Sequence, residues 1–164
     1  MNKYFRFLFF VLSIVSLNQN SYAIDVSFTG EFSDSWHDDD NWDDAFAPSL
    51  GEEEYFIQNE LTAMYATGES TIKKLVVGDS SPGTFLMTGG DLTISGGGDS
   101  FQVGRGCCEA DGLVELSGTA ILRTTLNSGV GERDNGVLHI GPDASVLSPD
   151  AYWRVGNFGP SVDA

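Results

Sequence analysis

The chain has 164 residues, enough for one domain with its own core, and it carries 24 acidic residues against 8 basic ones. Its formal net charge of −16 makes a surface that repels nucleic acid, anionic membranes and anionic polysaccharide. The same surface favours cations such as calcium and solubility in salt. We therefore predict no nucleic-acid partner.

Residues 1–23 have the pattern of an export signal. Lys3 and Arg6 give the positive start, residues 7–17 are apolar, and residues 21–23 read Ser-Tyr-Ala, a small-x-small cleavage site. The apolar run of about 11 residues is too short to span a bilayer as a helix. We predict that the cleaved chain has no membrane contact and lies at the cell surface, in the extracellular space or in the periplasm. An uncleaved N-terminal anchor is the alternative.

The next segment, residues 24–70, is acidic at its start and shows no repeat. It contains Trp36 and Trp42 and no Lys or Arg. A stack of repeats exposes apolar core and strand edges at its ends, so a polar cap is expected there. We predict that both tryptophans plug the first repeat. The alternative is a platform on which sugars stack, formed with Trp153.

A dense run of acidic residues lies within this segment and offers the oxygen ligands that calcium prefers. The spacing lacks the glycine and the terminal glutamate of an EF-hand loop. Two interpretations stay open, a solvated acidic loop and a calcium site, and the candidate calcium ligands are Asp38, Asp39, Asp40 and Asp43. No other cofactor is predicted.

A repeat occupies the second half of the chain. Val-Gly pairs begin at residues 77, 103, 130 and 155, at spacings of 26, 27 and 25 residues. Each repeat carries three short runs separated by turns, and no run is long enough for a helix. A fixed period of this length is typical of repeat architectures in which each unit buries its apolar face against its neighbours.

The alternation within the runs predicts which side chains face inward. In the first run, residues 75, 101 and 153 should stack on one another. In the second run the predicted buried pairs are Phe85 with Met87, Val114 with Leu116, and Leu138 with Ile140. The side chains between them, which should face outward, are Leu86, Glu115 and His139.

We therefore predict an all-β fold, a parallel β-helix (β-solenoid) of about five short coils with an acidic N-terminal cap. A β-sandwich would also show short strands and turns, but not the recurrence of residue character at equivalent positions. Residues 71–164 are the solenoid repeats, and the last repeat is incomplete. Either the sequence belongs to a longer protein or the last coil lacks a cap, which would favour association between copies.

Cys107 and Cys108 are adjacent, in an extended loop of an exported chain. The predicted role is a vicinal disulfide that stiffens the turn. Two reduced thiols and a metal or redox site are the alternatives, and the C-x-x-C spacing is absent.

Signals for catalysis are few. His37 and His139 are the only histidines, and no nucleophile, base and acid arrangement can be inferred. Asp79, Arg105 and Glu132 each follow the glycine of a Val-Gly pair, so they should form a ladder of alternating charge about 4.8 Å apart. This explains Arg105 without a catalytic role, and we predict that the protein is not an enzyme.

Three parts of the chain carry a family resemblance: the stretch from Trp36 through Asn41-Trp42 to Pro48, the strand at residues 55–57, and the unit from Leu75 to Ser95. They resemble exported bacterial glycine-rich β-helix repeat proteins, of the kind that often carry PEP-CTERM sorting tails or autotransporter-associated repeats. The resemblance implies a parallel β-helix in surface, matrix or polysaccharide-related settings. No sorting tail or barrel is recognised in this sequence.

These observations predict a secreted or cell-surface structural or adhesive protein without enzymatic activity. Its partners would be polysaccharide or other copies of the same chain. Two alternatives come from other functional classes. One is a fragment of a polysaccharide lyase or hydrolase, and the other is a carbohydrate-binding module that uses Trp36, Trp42 and Trp153.

Overall fold

The computed structural model describes residues 25–48, 53–106, 109–149 and 152–156. The predicted export signal and the predicted Cys107–Cys108 disulfide lie outside the described residues, as does the chain after residue 156. In the described residues the protein forms fourteen strands and one 3-10 helix, which spans Asp39–Asn41. No helix in these ranges is long and apolar enough to cross a membrane.

The strands are short and evenly distributed along the chain. In order they are β1 (Asp25–Ser27), β2 (Glu54–Ile57), β3 (Leu61–Tyr65), β4 (Glu69–Ile72), β5 (Lys74–Val77), β6 (Gly83–Met87), β7 (Asp91–Ile94), β8 (Phe101–Val103), β9 (Gly112–Leu116), β10 (Ile121–Thr124), β11 (Ser128–Val130), β12 (Gly136–Ile140), β13 (Ser145–Leu147) and β14 (Trp153–Val155).

From β2 onward each strand pairs with the strand three positions later in the chain, and β1 pairs with β2, which produces three sheets. The first sheet has the order β1-β2-β5-β8-β11-β14, the second β3-β6-β9-β12 and the third β4-β7-β10-β13. All the pairings between these strands are parallel. The all-β prediction is confirmed, and three parallel sheets of this order are consistent with a β-solenoid.

The register follows the sequence period. In the first sheet Leu75 pairs with Phe101, Phe101 with Ser128 and Ser128 with Trp153, so the predicted stacking of 75, 101 and 153 is confirmed. In the second sheet Leu86, Glu115 and His139 are in register, as predicted for the outward positions. A register shift of one residue would exchange the inner and outer faces, which makes this pairing strongly specified.

The space between the three sheets is filled by apolar side chains, one set from each sheet. Phe85, Met87, Val114 and Leu116 are buried there, in agreement with the predicted inward pairs. Ile140 departs from the prediction, because 46% of its surface is exposed. Its strand, β12, is the edge of the second sheet among the described residues, so a neighbour packs on one side only.

The second strand of each repeat begins at a glycine for a steric reason. Gly83, Gly112 and Gly136 are in register with one another. A Cβ added to Gly112 would lie 2.2 Å from the carbonyl oxygen of Val77, and one on Gly83 would lie 2.0 Å from that of Ile57. Successive repeats therefore approach so closely at this corner that no side chain fits.

Gly112→Ala is expected to destabilise the protein by about 1–3 kcal/mol, because backbone atoms, not a flexible side chain, occupy the space of the new methyl group. Urea unfolding of the variant and of the parent protein measures the difference. Gly97→Ala is the control, because a Cβ there meets nothing within 4 Å. Equal midpoints for the two variants would mean that the close approach at this corner is wrong.

The acidic N-terminal segment joins the apolar interior at one end of the sheets. Trp36 is fully buried and Trp42 is 2% exposed. Their rings meet edge to face with centroids 4.9 Å apart, and Trp36 also lies 5.3 Å from the ring of Phe85. Each indole finds a polar partner: Trp36 Nε1 donates to the carbonyl oxygen of Pro48, and Trp42 Nε1 donates to that of Trp36. The predicted plugging role of both tryptophans agrees with this burial.

Candidate functional site: a charged groove on the first sheet

A groove of about 760 Å³ lies on the outer side of the first sheet. Leu75, Val77 and Phe101 belong to the core, so the alternate residues of β5, β8 and β14 face outward into this region. Of these outward residues, Lys74, Gln102 and Arg154 line the groove, and loops before and after the strands complete its walls. The charged lining consists of Lys74, Asp79, Asp99, Arg105, Glu132, Arg133 and Arg154.

One row of residues on the outer face of the first sheet is buried beside the groove. Phe56, Val76 and Gln102 follow one another in register along the first sheet, and all three are buried. The guanidinium of Arg105 lies 5.6 Å from the centre of the Phe56 ring, within the range of a cation–π contact. Arg105, which lines the groove, is thus packed against this buried row.

The predicted charge ladder is confirmed at its first step. Gly78 and Gly104 adopt positive φ values of 74° and 65°, a conformation that glycine adopts without steric cost, and the chain turns there. The next residues, Asp79 and Arg105, then meet: Arg105 Nε donates to Asp79 Oδ1 at 2.7 Å. Both side chains are partly exposed, so this ion pair contributes modestly to stability.

The ladder prediction is wrong at its second step. Glu132 does not pair with Arg105; instead it accepts a hydrogen bond from Gln102 Nε2 at 2.8 Å and lies 3.0 Å from Arg154 Nη1. Gln102 Oε1 accepts from Arg105 Nη1 at 3.2 Å. The amide of Gln102 thus links the two charges that were expected to touch.

Gly129 explains why Glu132 can take this position. It is the outward residue of β11, between Gln102 and Arg154 in register. A Cβ at Gly129 would lie 3.2 Å from the side-chain carbons of Glu132. The missing side chain leaves the space in which Glu132 folds over the sheet.

Two basic residues complete the groove near β14. Arg154 pairs with Asp99, and this hydrogen bond raises the pKa of its guanidinium, with Glu132 adding to the effect. Arg154 Nε is nevertheless buried without a hydrogen-bond partner among the described residues. Arg133 is exposed, and no carboxylate of the described residues lies within 4 Å of it. The groove therefore retains hydrogen-bond donors that its own carboxylates do not satisfy.

Of the two open interpretations of the acidic run, a solvated loop and a calcium site, the hydrogen bonds favour the loop. Asp38 Oδ1 accepts from the backbone of Asp40, Asp39 Oδ1 from that of Ala47 at 2.7 Å, and Asp43 Oδ1 from that of Ser27 at 3.0 Å. These carboxylates stabilise separate turns. In the parts of the chain that the structure describes, no three His, Cys, Asp or Glu side chains gather to hold a metal ion.

The proposed sugar-stacking platform is wrong for two of its three residues. Trp36 and Trp42 are buried in the core and offer no face to a ligand. Trp153 is partly buried, and its ring meets that of Phe101 edge to face at 5.9 Å. The three tryptophans do not form one surface, because Trp153 lies on the inner side of the opposite end of the first sheet.

The two histidines lie apart from the groove. His37 Nε2 is 2.6 Å from the carbonyl oxygen of Thr67, and its ring packs against Tyr65. His139 Nδ1 lies 3.9 Å from Glu115 Oε1 with both side chains exposed, which confirms the predicted outward position of both residues. Neither residue belongs to a catalytic arrangement with a serine or cysteine among the described residues.

Asp99 and Arg154 are among the groove residues that sequence analysis missed. The outward position of Arg154 follows from the alternation of its strand, since it is equivalent to Gln102. Asp99 lies in the loop before β8, where no periodicity applies, and only the folded chain brings it to Arg154. No protein-family model matches the sequence, and neither a curated protein nor a solved structure matches it significantly.

Proposed function

We propose that this chain is a structural or adhesive segment of an exported parallel β-helix, without enzymatic activity, as the family resemblance of its repeats also implies. The observation that carries the proposal is the stacking of equivalent residues in three parallel sheets around a filled interior. Such a stack is a rigid support whose outer rows of side chains stay at fixed spacing. Passive display of these rows is the proposed mechanism.

In this proposal each group of three strands is one coil. Four coils are formed by the strand groups β2–β4, β5–β7, β8–β10 and β11–β13, and β14 begins a fifth coil. Residues 24–70 then include both the first coil and an acidic cap over it. The burial of Trp36 and the parallel pairing of β1 with β2 support the cap, because they close the end of the first sheet.

The state of the groove carboxylates supports the absence of catalysis. Asp79 is paired with Arg105, and Asp99 and Glu132 are paired with Arg154. The oxygens in these ion pairs are already occupied, whereas a general acid or base needs a carboxyl group within hydrogen-bond reach of the substrate. A lyase or hydrolase that used this groove would have to break these pairs first.

A turnover assay tests the proposal. The purified protein, with calcium added, is incubated with neutral polysaccharides and with polyuronates, and new reducing ends and unsaturated products are measured. We expect no turnover above that of the buffer. Turnover that is lost in Asp99→Asn and kept in Asp143→Asn, a control outside the groove, would replace the structural proposal with the lyase or hydrolase alternative.

Export is tested separately. The full sequence is expressed in a bacterium, and the N-terminus of the product in each cell fraction is determined by mass spectrometry. The proposal expects cleavage after Ala23 and a product outside the cytoplasm. An intact Met1 in the cytoplasmic fraction would contradict it.

A further inference from the structure

The three sheets share one end at which their strand edges are free, and we call it the back end. It is formed by β12, β13 and β14, the last strands of the second, third and first sheets. No further strand of the described residues pairs with them. A free strand edge offers backbone N–H and C=O groups to another chain. The back end therefore has the polar groups that are needed to extend all three sheets.

Apolar side chains are exposed at the back end although they occupy core positions. Val155 is 76% exposed, whereas Val130, its partner on the neighbouring strand, is 6% exposed. Ile140 is 46% exposed, and its partner Leu116 is 2% exposed. These positions are equivalent, so the difference in exposure comes from the lack of a further neighbour among the described residues. An exposed apolar surface of this kind marks a contact with another molecule.

The opposite end of the sheets, the front end, is closed in two of the three sheets. β1 pairs with β2 at the edge of the first sheet. At the edge of the second sheet Ser35 forms a parallel bridge with Met64, and the backbone N–H of Trp36 donates to the carbonyl oxygen of Met64 at 2.9 Å. The acidic segment thus occupies the edges on which a second copy would have to stack. Head-to-tail stacking of copies is blocked there.

The distribution of charge distinguishes the two ends in the same way. Residues 25–48, at the front end, include eight acidic residues and no Lys or Arg. Residues 128–156, which include the back-end strands, carry four acidic and two basic residues. Any contact that involves a front end brings its acidic residues close to a second acidic chain, and like charges repel. Two back ends bring less charge together and keep both acidic segments far apart.

We propose that the back end binds a second copy of this chain, back end to back end, in a closed dimer. Such a contact uses the same surface of both copies, related by a two-fold axis, so no back end is left for a third copy. The axis reverses the strand direction, and the strands of the two copies meet antiparallel. Three short strands make a narrow interface, so we expect a weak and reversible dimer. This proposal does not depend on the structural or adhesive role of the chain.

Sedimentation equilibrium of the purified protein over a wide concentration range tests the proposal. A reducing agent is present, so that Cys107 and Cys108 cannot link copies. We expect the mass to rise from one chain to two and then to stay constant. Growth beyond two chains would mean head-to-tail stacking and would contradict the closed dimer. A single chain at every concentration would mean that other residues of the same chain cover the back end, and it would overturn the proposal.

Two variants with the same change of charge locate the contact. Val155→Lys places a charge in the proposed interface and should weaken association about tenfold or more, because an unpaired charge would be buried there. Phe46→Lys changes a comparably exposed apolar residue of the acidic segment, 70% exposed, and should associate as the parent protein does. Equal weakening by both variants, or no weakening by Val155→Lys, would refute a contact at the back end.

Hydrogen exchange of the unchanged protein gives a second measurement that needs no variant. Amides of β12, β13 and β14 should exchange more slowly at a high protein concentration than at a low one, because the dimer covers these strands. Amides of β1, at the front end, should exchange equally at both concentrations. Slower exchange at β1 and not at the back-end strands would place the contact at the wrong end for this proposal.

Discussion

Replacing Trp36 with alanine is expected to lower the free energy of unfolding by roughly 3–5 kcal/mol, the usual cost of removing a buried aromatic side chain. Trp36 is fully buried and contacts the rings of Trp42, Tyr65 and Phe85. The alanine would leave a cavity at the point where the acidic segment meets the sheets. Urea unfolding followed by circular dichroism measures the change.

Phe46→Ala is the matched control within the same segment. Phe46 is 70% exposed, so its removal should change the free energy of unfolding by no more than about 0.5 kcal/mol. If Trp36→Ala were as mild as Phe46→Ala, the acidic segment would not be part of the core. The cap in the proposed function would then be wrong as well.

The second large effect is expected inside the second sheet. Leu116→Ala should destabilise the protein by roughly 2–5 kcal/mol through cavity formation. Leu116 is buried and is in register with Met87 on one side and Ile140 on the other. Few atoms can move in to fill the space, because strands on both sides fix the backbone. Chemical unfolding again gives the difference.

Glu115→Ala, one residue away on the same strand, is the matched control, because Glu115 lies on the outward face and Leu116 on the inward face. Glu115 is exposed, and its contact with His139 is a surface pair at 3.9 Å. Its removal should cost less than about 0.5 kcal/mol. Equal destabilisation by the two substitutions would mean that the inward and outward positions of β9 are wrongly assigned.

The sheets could be predicted from the sequence because the period itself carries the register. Once Val77, Val103, Val130 and Val155 are aligned, the alternation of each strand places its side chains inside or outside. The prediction failed for Ile140 because burial also requires a neighbour on each side, and β12 is an edge among the described residues. The period predicts which face of the sheet a side chain lies on, but not how much of that side chain is buried by neighbouring strands.

The groove could be predicted only in part. Arg105 and Asp79 occupy equivalent positions of successive repeats, so their contact follows from the alignment. The contacts of Glu132 depend on the space above Gly129, and the contact of Arg154 with Asp99 depends on a loop of irregular sequence. Both are set by packing between segments far apart in the chain, which a local pattern does not record.

The two interpretations of the acidic run could not be separated from the sequence for a related reason. A run of aspartates supplies ligands by composition, but a site needs several carboxylates directed at one point. Here Asp39 and Asp43 accept hydrogen bonds from backbone amides of different turns. Their spacing in the sequence gave no indication of this use.

The parallel stacking of the repeats is the central claim, and a pair of engineered disulfides tests it directly. Leu86 and Glu115 are partners on neighbouring strands, about 4.8 Å apart for parallel pairing, within the range that a disulfide spans. Thr84 lies two residues earlier on the same face, which places it about 8 Å from Glu115 and out of reach. An antiparallel pairing of the same two strands would instead bring Thr84 opposite Glu115.

Both cysteine pairs are introduced into a background with Cys107→Ser and Cys108→Ser, and oxidation is followed by mass spectrometry of the folded protein. The account predicts that Leu86→Cys with Glu115→Cys forms the disulfide readily and that Thr84→Cys with Glu115→Cys does not. Disulfide formation by the second pair and not by the first would contradict the parallel stack.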